Sequence, residues 1–137
     1  MNILGFDPGR DKCGVAVRSK DGKLYLHEVV PSGEAIERLA DLCLKYSIEL
    51  LVMGDQTTAK TWKDKLEASL SVPIEMVDER NSTVEAEERY RDMYPPKGLQ
   101  KLIPRGMRLP DRPIDDIVAI LLIERYLQRE GRSTSPD

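Results

Sequence analysis

Asn2-Ile3-Leu4-Gly5-Phe6-Asp7-Pro8 is a short apolar run ending in an Asp-Pro-Gly turn, and Cys13-Gly14-Val15-Ala16-Val17 is a second apolar run close behind it. A third, Leu24-Tyr25-Leu26-His27-Glu28-Val29-Val30, follows the turn signal Lys20-Asp21-Gly22-Lys23. Apolar runs of this length, bounded by Gly, Pro and Asp, read as strands. Connections this short join antiparallel neighbours, so these three strands form a meander.

Downstream the period changes. Ile36, Leu39, Ala40, Cys43 and Leu44 recur at helical spacing, which predicts a helix over about 33–46 with Pro31 and Ser32 as its start signal. Leu50-Leu51-Val52-Met53-Gly54 is wholly apolar, as expected of a strand covered on both faces. A second helix is expected over about 58–70, with Trp62, Leu66 and Ser69 or Leu70 facing inward, then a strand over 73–77. Ser82-Thr83-Val84-Glu85 has the form of a capping box and opens a helix to about Met93. Residues 94–112 read as a long loop. The last helix is expected to start near Pro113, in its first turn, and to run to about Arg129. Its inner face is Ile117, Ala119 or Ile120, Leu121, Leu122, then Tyr126 or Leu127. Residues 131–137 read as a disordered tail.

Hairpin strands followed by alternating helices and strands predict an α/β fold. It is a single domain over 1–130, with a five-stranded mixed sheet, three strands antiparallel and then two parallel, and helices on both faces. A chain of 137 residues suits one domain with its own core.

Composition narrows the function. At 40% hydrophobic and 33% charged residues, the chain reads as a soluble globular protein. A net charge of −3 argues against a protein that coats DNA with a wholly basic surface, but says nothing about local patches. The N-terminal residues lack a signal-peptide pattern, and no apolar stretch is long enough to span a membrane, so no membrane association and a cytoplasmic location are expected. Cys13 and Cys43 show no CxxC spacing and read as buried thiols in a reducing compartment. One histidine without a cysteine pair disfavours zinc. That histidine, His27, lies in a strand-like run, which disfavours a histidine-activated nucleophile. Catalysis, if present, rests on carboxylates.

Ligand sites in such sheets lie at the carboxyl ends of the strands, where this chain carries Asp7, Asp55 and Asp78-Glu79. Asp115-Asp116 opens the last helix. Each has a plain structural explanation when taken alone. Asp7 belongs to a tight turn. Asp78, Glu79, Asp115 and Asp116 complement helix dipoles. Asp55 serves as an N-cap. Taken together, clustered carboxylates repel unless a cation neutralises them. Oxygen-only donors select a hard ion, Mg²⁺ or Mn²⁺. Two such ions roughly 3.5–4 Å apart form a site for in-line displacement at phosphorus.

The chain resembles the YqgF (RuvX) family, resolvase or pre-16S rRNA-processing nucleases of the RNase H-like superfamily, over about residues 3–127. Three motifs carry the resemblance: Gly5-Phe6-Asp7-Pro8-Gly9 with Gly14-Val15-Ala16-Val17; Asp78-Glu79-Arg80 with Ser82-Thr83-Val84-Glu85-Ala86; and Ile114-Asp115-Asp116-Ile117-Val118-Ala119 with Glu124-Arg125-Tyr126-Leu127. The resemblance implies an RNase H-like fold and a divalent-metal nuclease. It assigns Asp7, Glu79 and Asp115 as catalytic metal ligands, with Asp116 and Asp55 as additional candidates. Arg80 matches the motif's arginine, a contact to the scissile phosphate or a brace for Glu79. There is one departure: where the family usually shows Gly-Leu-Pro-Leu, this chain reads Gly54-Asp55-Gln56-Thr57.

Residues 97–112 carry Lys97, Lys101, Arg105, Arg108 and Arg112 against one acid, a net +4 that leaves −7 for the remainder. A cationic segment just before Asp115 is suited to tracking a phosphate backbone, or is a solvated surface loop. Trp62 reads as core rather than as a base-stacking platform. The expected partner is structured RNA or branched DNA, bound by a monomer or a homodimer. Processing of the pre-16S rRNA 5′ end is the leading reading. The alternatives are a Holliday junction resolvase, a non-catalytic RNase H-like nucleic-acid-binding module, and a sugar-kinase or ATPase relative, the last needing a second domain.

Overall fold

A computed structural model of the chain describes residues 1–56, 58–95 and 112–133. Three strands come first: β1 (Asn2–Asp7), β2 (Lys12–Ser19) and β3 (Leu24–Pro31). A 3-10 turn over Ser32–Glu34 leads into α1 (Ala35–Lys45). Next come β4 (Ile48–Gly54), α2 (Ala59–Ser69), β5 (Ile74–Val77), α3 (Ser82–Met93) and α4 (Asp115–Ser133). The sheet order is β3-β2-β1-β4-β5. The meander β1-β2-β3 is antiparallel, whereas β4 and β5 join β1 in parallel. This is the predicted five-stranded mixed sheet.

Strand alternation sorts the side chains onto two faces. Leu4, Phe6, Cys13, Val15, Val17, Leu51 and Met53 point to one face, where α1 and α2 contribute Leu39, Leu42, Ala59 and Leu66. Ile3, Ala16, Leu50, Val52 and Val77 point to the other, against Ile117–Ile123 of α4 and Ala86 of α3. Trp62 packs edge-on against Phe6 with ring centroids 5.3 Å apart, so it is a core residue, as its helical position suggested. Cys13 is buried and Cys43 half-buried, and both are free thiols.

Five local expectations need correction. The inner face of α1 is rotated: Leu42 is buried and Leu44 is 84% exposed. Two sets at helical spacing compete there, and the one containing Ala35, Leu39 and Leu42 wins the sheet. The helix α4 starts at Asp115, two residues after Pro113, because the first amides, of Ile117 and Val118, donate to the Ile114 carbonyl. It shows no single inner stripe, since every residue from Ile117 to Ile123 is buried. A helix apolar all round needs cover on both sides, here the sheet and α3. It is also described as far as Ser133, beyond the expected end at Arg129. Finally, the capping box does not form. Asn81 is the N-cap, in the left-handed region at φ 61°, and Glu85 turns its carboxylate to Arg125 at 3.1 Å rather than back to its own helix. A cation on a neighbouring helix outcompetes the local backbone donor.

Candidate active site

The site is built at the carboxyl ends of β1, β4 and β5. Asp7 is the last residue of β1 and stands directly opposite Gly14 of β2. A Cβ on Gly14 would overlap the Asp115 carbonyl, and a Cβ on Gly5 would overlap the carbonyl of Ala119. Two bare positions on adjacent strands therefore let the α4 backbone lie against the sheet. Their reward is reach: the Asp115 side chain hydrogen-bonds the Asp7 carboxyl.

Glu79 arrives from the other side. Gly54 pairs with Val77 across β4 and β5, and the Asp55 amide extends that ladder by donating to the Val77 carbonyl at 3.1 Å. The chain then turns, and the Glu79 carboxylate lies over Gly54, where a larger residue would collide with it. The Gln56 side-chain amide donates to the Pro8 carbonyl at 2.6 Å.

Electrostatics follow from this crowding. Burial pushes the Asp7 carboxyl up to about 8, reinforced by the charges of Asp115 and Glu79 and by the hydrogen bond with Asp115. Burial also raises Asp115, with the Asp116 charge adding to it and the Asp7 hydrogen bond and Lys12 opposing it. Glu79 is raised by burial and then by the charge of Asp55, while the Gln56 amide and Arg125 pull it back. The Asp7–Asp115 pair thus holds a proton where a cation would relieve the same repulsion. Among the described residues no three acidic, histidine or cysteine side chains form a finished metal cluster, Glu79 being held toward Gly54. The donor chemistry, all carboxylate oxygen and partly buried, fits a hard dication.

The remaining candidates separate. Asp55 is exposed beside Glu79 and does not cap α2, whose N-cap is Thr58 without a side-chain bond. Asp116, only 2% exposed, has both oxygens engaged. Its Oδ2 is 2.6 Å from His27 Nδ1, and its Oδ1 accepts from Arg112 Nη1 at 3.0 Å. The structure thus places Asp116 as a brace between β3 and α4 rather than in the Asp7 group. Arg112 also donates to the Pro113 carbonyl at 2.7 Å, and its guanidinium lies over the rings of Tyr90 and Tyr94. It ties the end of α3 to the start of α4. Lys97, Lys101, Arg105 and Arg108 lie outside the described residues. The Arg80 side chain is exposed beside Glu79.

Three residues outside the expected site set stand around it. His27 pairs with Ala16 across β2 and β3, on the sheet face that α4 covers, and so points at the last helix. Arg125 donates to the carbonyls of Asp78 and Arg80, at 2.7 and 2.8 Å, and so grips the turn on both sides of Glu79. Its motif was visible but its direction was not. Gln56 gave no signal beyond departing from the family pattern.

The RuvX family, described as "Holliday junction resolvase", matches residues 1–129. A protein of Streptococcus mutans named "Putative pre-16S rRNA nuclease" is 31% identical, over 94% of this chain and 99% of its own length. One of the same name from Anaeromyxobacter dehalogenans is also 31% identical, over 96% and 99%. Among solved structures, Thermus thermophilus RuvC superposes with a TM-score of 0.63 at 14% identity, covering 99% of this chain and 98% of that one. A Fowlpox virus resolvase, solved with Holliday junction DNA, also gives 0.63, at 12% identity, covering 95% and 99%. At such identities these two show the fold, the expected RNase H-like one. With a match that spans both of the glycines under α4 and the three acids Asp7, Glu79 and Asp115, the chain belongs to the RuvX family.

Proposed function

We propose that this chain is a divalent-metal-dependent nuclease that hydrolyses phosphodiester bonds in the cytoplasm, with the 5′ end of pre-16S rRNA as its substrate. The observation that carries the reading is the buried Asp7 carboxyl, sharing a hydrogen bond with Asp115 and feeling the charge of Glu79. Two acids brought together at a strand end repel each other, and a bound cation would relieve that repulsion.

Asp7, Glu79 and Asp115 would hold Mg²⁺ or Mn²⁺. When bound, such ions activate the attacking water and neutralise the leaving oxygen, so no histidine base is needed. The protein's own part is positional. Gly14 and Gly5 bring Asp115 to Asp7, and Arg125 grips the turn that carries Glu79. Arg80, exposed next to Glu79, would meet a phosphate of the bound strand. Lys97, Lys101, Arg105 and Arg108 supply the sequence-independent attraction for the backbone. Arg112 braces the adjoining helix instead.

The full-length relatives named for pre-16S rRNA favour RNA over branched DNA. The second reading, a Holliday junction resolvase, draws on the family's description. It needs a symmetric pair of active sites and hence a dimer. The test offers an RNA carrying the 5′ leader of 16S rRNA, and a four-way DNA junction, to wild type and Asp7→Asn in Mg²⁺. Cleavage of the RNA by wild type alone is expected. Equal cleavage by both proteins would sink the assigned site. Junction cleavage by a dimer would transfer the proposal to the resolvase reading.

A further inference from the structure

A cavity of about 400 Å³ opens at the β5 edge of the sheet, between the end of β5, the start of α3 and the second half of α4. Ligand-sized clefts run to roughly 300–1,000 Å³. The cavity adjoins the candidate active site through one turn: Asp78 and Arg80 line it, and Glu79 lies between them in the chain. Its walls are fixed. Arg125 donates to the carbonyls of Asp78 and Arg80 and pairs with Glu85, and Arg129 donates to the Met76 carbonyl at 3.1 Å. The two acids in the lining are both engaged, Glu85 by Arg125 and Asp78 by the backbone N–H of Arg80 at 2.9 Å. Three lining groups are not. Among the described residues, the Arg80 guanidinium and the side-chain amides of Asn81 and Gln128 have no hydrogen-bond or ion-pair partner. What the cavity offers a ligand is therefore one cation and two carboxamides.

We propose that this cavity takes an unpaired nucleotide of the bound RNA strand, beside the phosphodiester at the acids, with its phosphate on Arg80 and its base edge on Asn81 and Gln128. A guanidinium matches phosphate geometry. A carboxamide sets a donor beside an acceptor, as a base edge does. A base inside a duplex is stacked and has its edge engaged, so it enters a pocket only by leaving the helix. An unpaired base enters freely. The site thus selects single-stranded RNA next to the cut. Its place in cleavage rests on the nuclease reading above; its preference for an unpaired nucleotide does not.

Two measurements on the full chain, in EDTA so that nothing is cut, test it. In fluorescence anisotropy, the double variant Asn81→Gly/Gln128→Ala should bind a single-stranded RNA oligonucleotide about tenfold or more weakly than wild type. Its affinity for the same sequence as a duplex should stay unchanged. Glycine keeps the left-handed backbone at position 81, and neither side chain has a partner to lose, so the melting temperature should stay near wild type. In NMR, the single strand should shift the side-chain amide signals of Asn81 and Gln128, and inorganic phosphate alone should not. Unchanged single-strand affinity, equal losses for strand and duplex, or no binding of the strand by wild type would each overturn the proposal. Binding that depends on Asn81 and Gln128 without any cleavage in Mg²⁺ would overturn the nuclease reading and leave the cavity standing.

Discussion

The carbonyl of Asp115 occupies the space that a side chain on Gly14 would fill, and Gly14 is the residue paired with Asp7 across β1 and β2. One missing methyl group thus decides whether the last helix can bring its acid to the first strand. Gly14→Ala should push the start of α4 off the sheet. We expect a stability loss of about 1–3 kcal/mol from overpacking, together with loss of at least a hundredfold in cleavage rate. Denaturant unfolding and a single-turnover assay measure the two. Near-normal cleavage would show that Asp115 does not depend on this seat.

The raised Asp7 carboxyl makes the metal-free fold sensitive to pH. Its ordinary value is 3.8 and its folded value about 8, so between these limits the folded state binds more protons than the unfolded one. Stability should therefore fall as pH rises from about 4 to about 8, and level off above that. Asp7→Asn should flatten this slope and stabilise the metal-free protein at pH 8 by about 1–2 kcal/mol, while abolishing cleavage. Saturating Mg²⁺ should stabilise wild type more than Asp7→Asn. Urea titrations at several pH values check all three outcomes.

Arg125 grips the turn around Glu79 through two backbone carbonyls and pairs with Glu85. Arg125→Met keeps much of the side chain's bulk but removes its donors. It should cost about 1–2 kcal/mol and weaken Mn²⁺ binding by about tenfold. Glu85→Gln breaks only a partly exposed ion pair and should change stability by less than about 1 kcal/mol. Comparable losses in the two variants would mean that the carbonyl contacts do not matter.

Nucleic-acid binding should depend strongly on salt despite the net charge of −3, because Lys97, Lys101, Arg105 and Arg108 concentrate positive charge in one segment. Replacing all four with glutamine should flatten the plot of log affinity against log salt by roughly three to four units. Arg112→Gln should leave that slope nearly unchanged and lower the melting temperature instead, since Arg112 braces Asp116. Fluorescence anisotropy across a salt series separates the two.

Much of the architecture was legible from local pattern. Strand-length apolar runs and short turns specify the β1-β2-β3 meander, and the change to helical spacing after Pro31 specifies the alternation that follows. Acids at strand ends and helix starts were legible as a group, and the family resemblance picked Asp7, Glu79 and Asp115 out of it. These are properties of neighbours along the chain, and a sequence records neighbours directly.

The tertiary structure alone decided which acid does what. Asp115 and Asp116 are adjacent and chemically identical. One meets Asp7, while the other is taken by His27 and Arg112. The 100° step between successive residues of α4 and the register of Gly14 make that choice. Glu85 likewise leaves its predicted capping bond because Arg125 approaches from another helix. The Gln56 side chain reaches the Pro8 carbonyl only because β4 lies beside β1. Contacts such as these join residues tens of positions apart. Their energies depend on distance in space, which spacing along the chain does not contain.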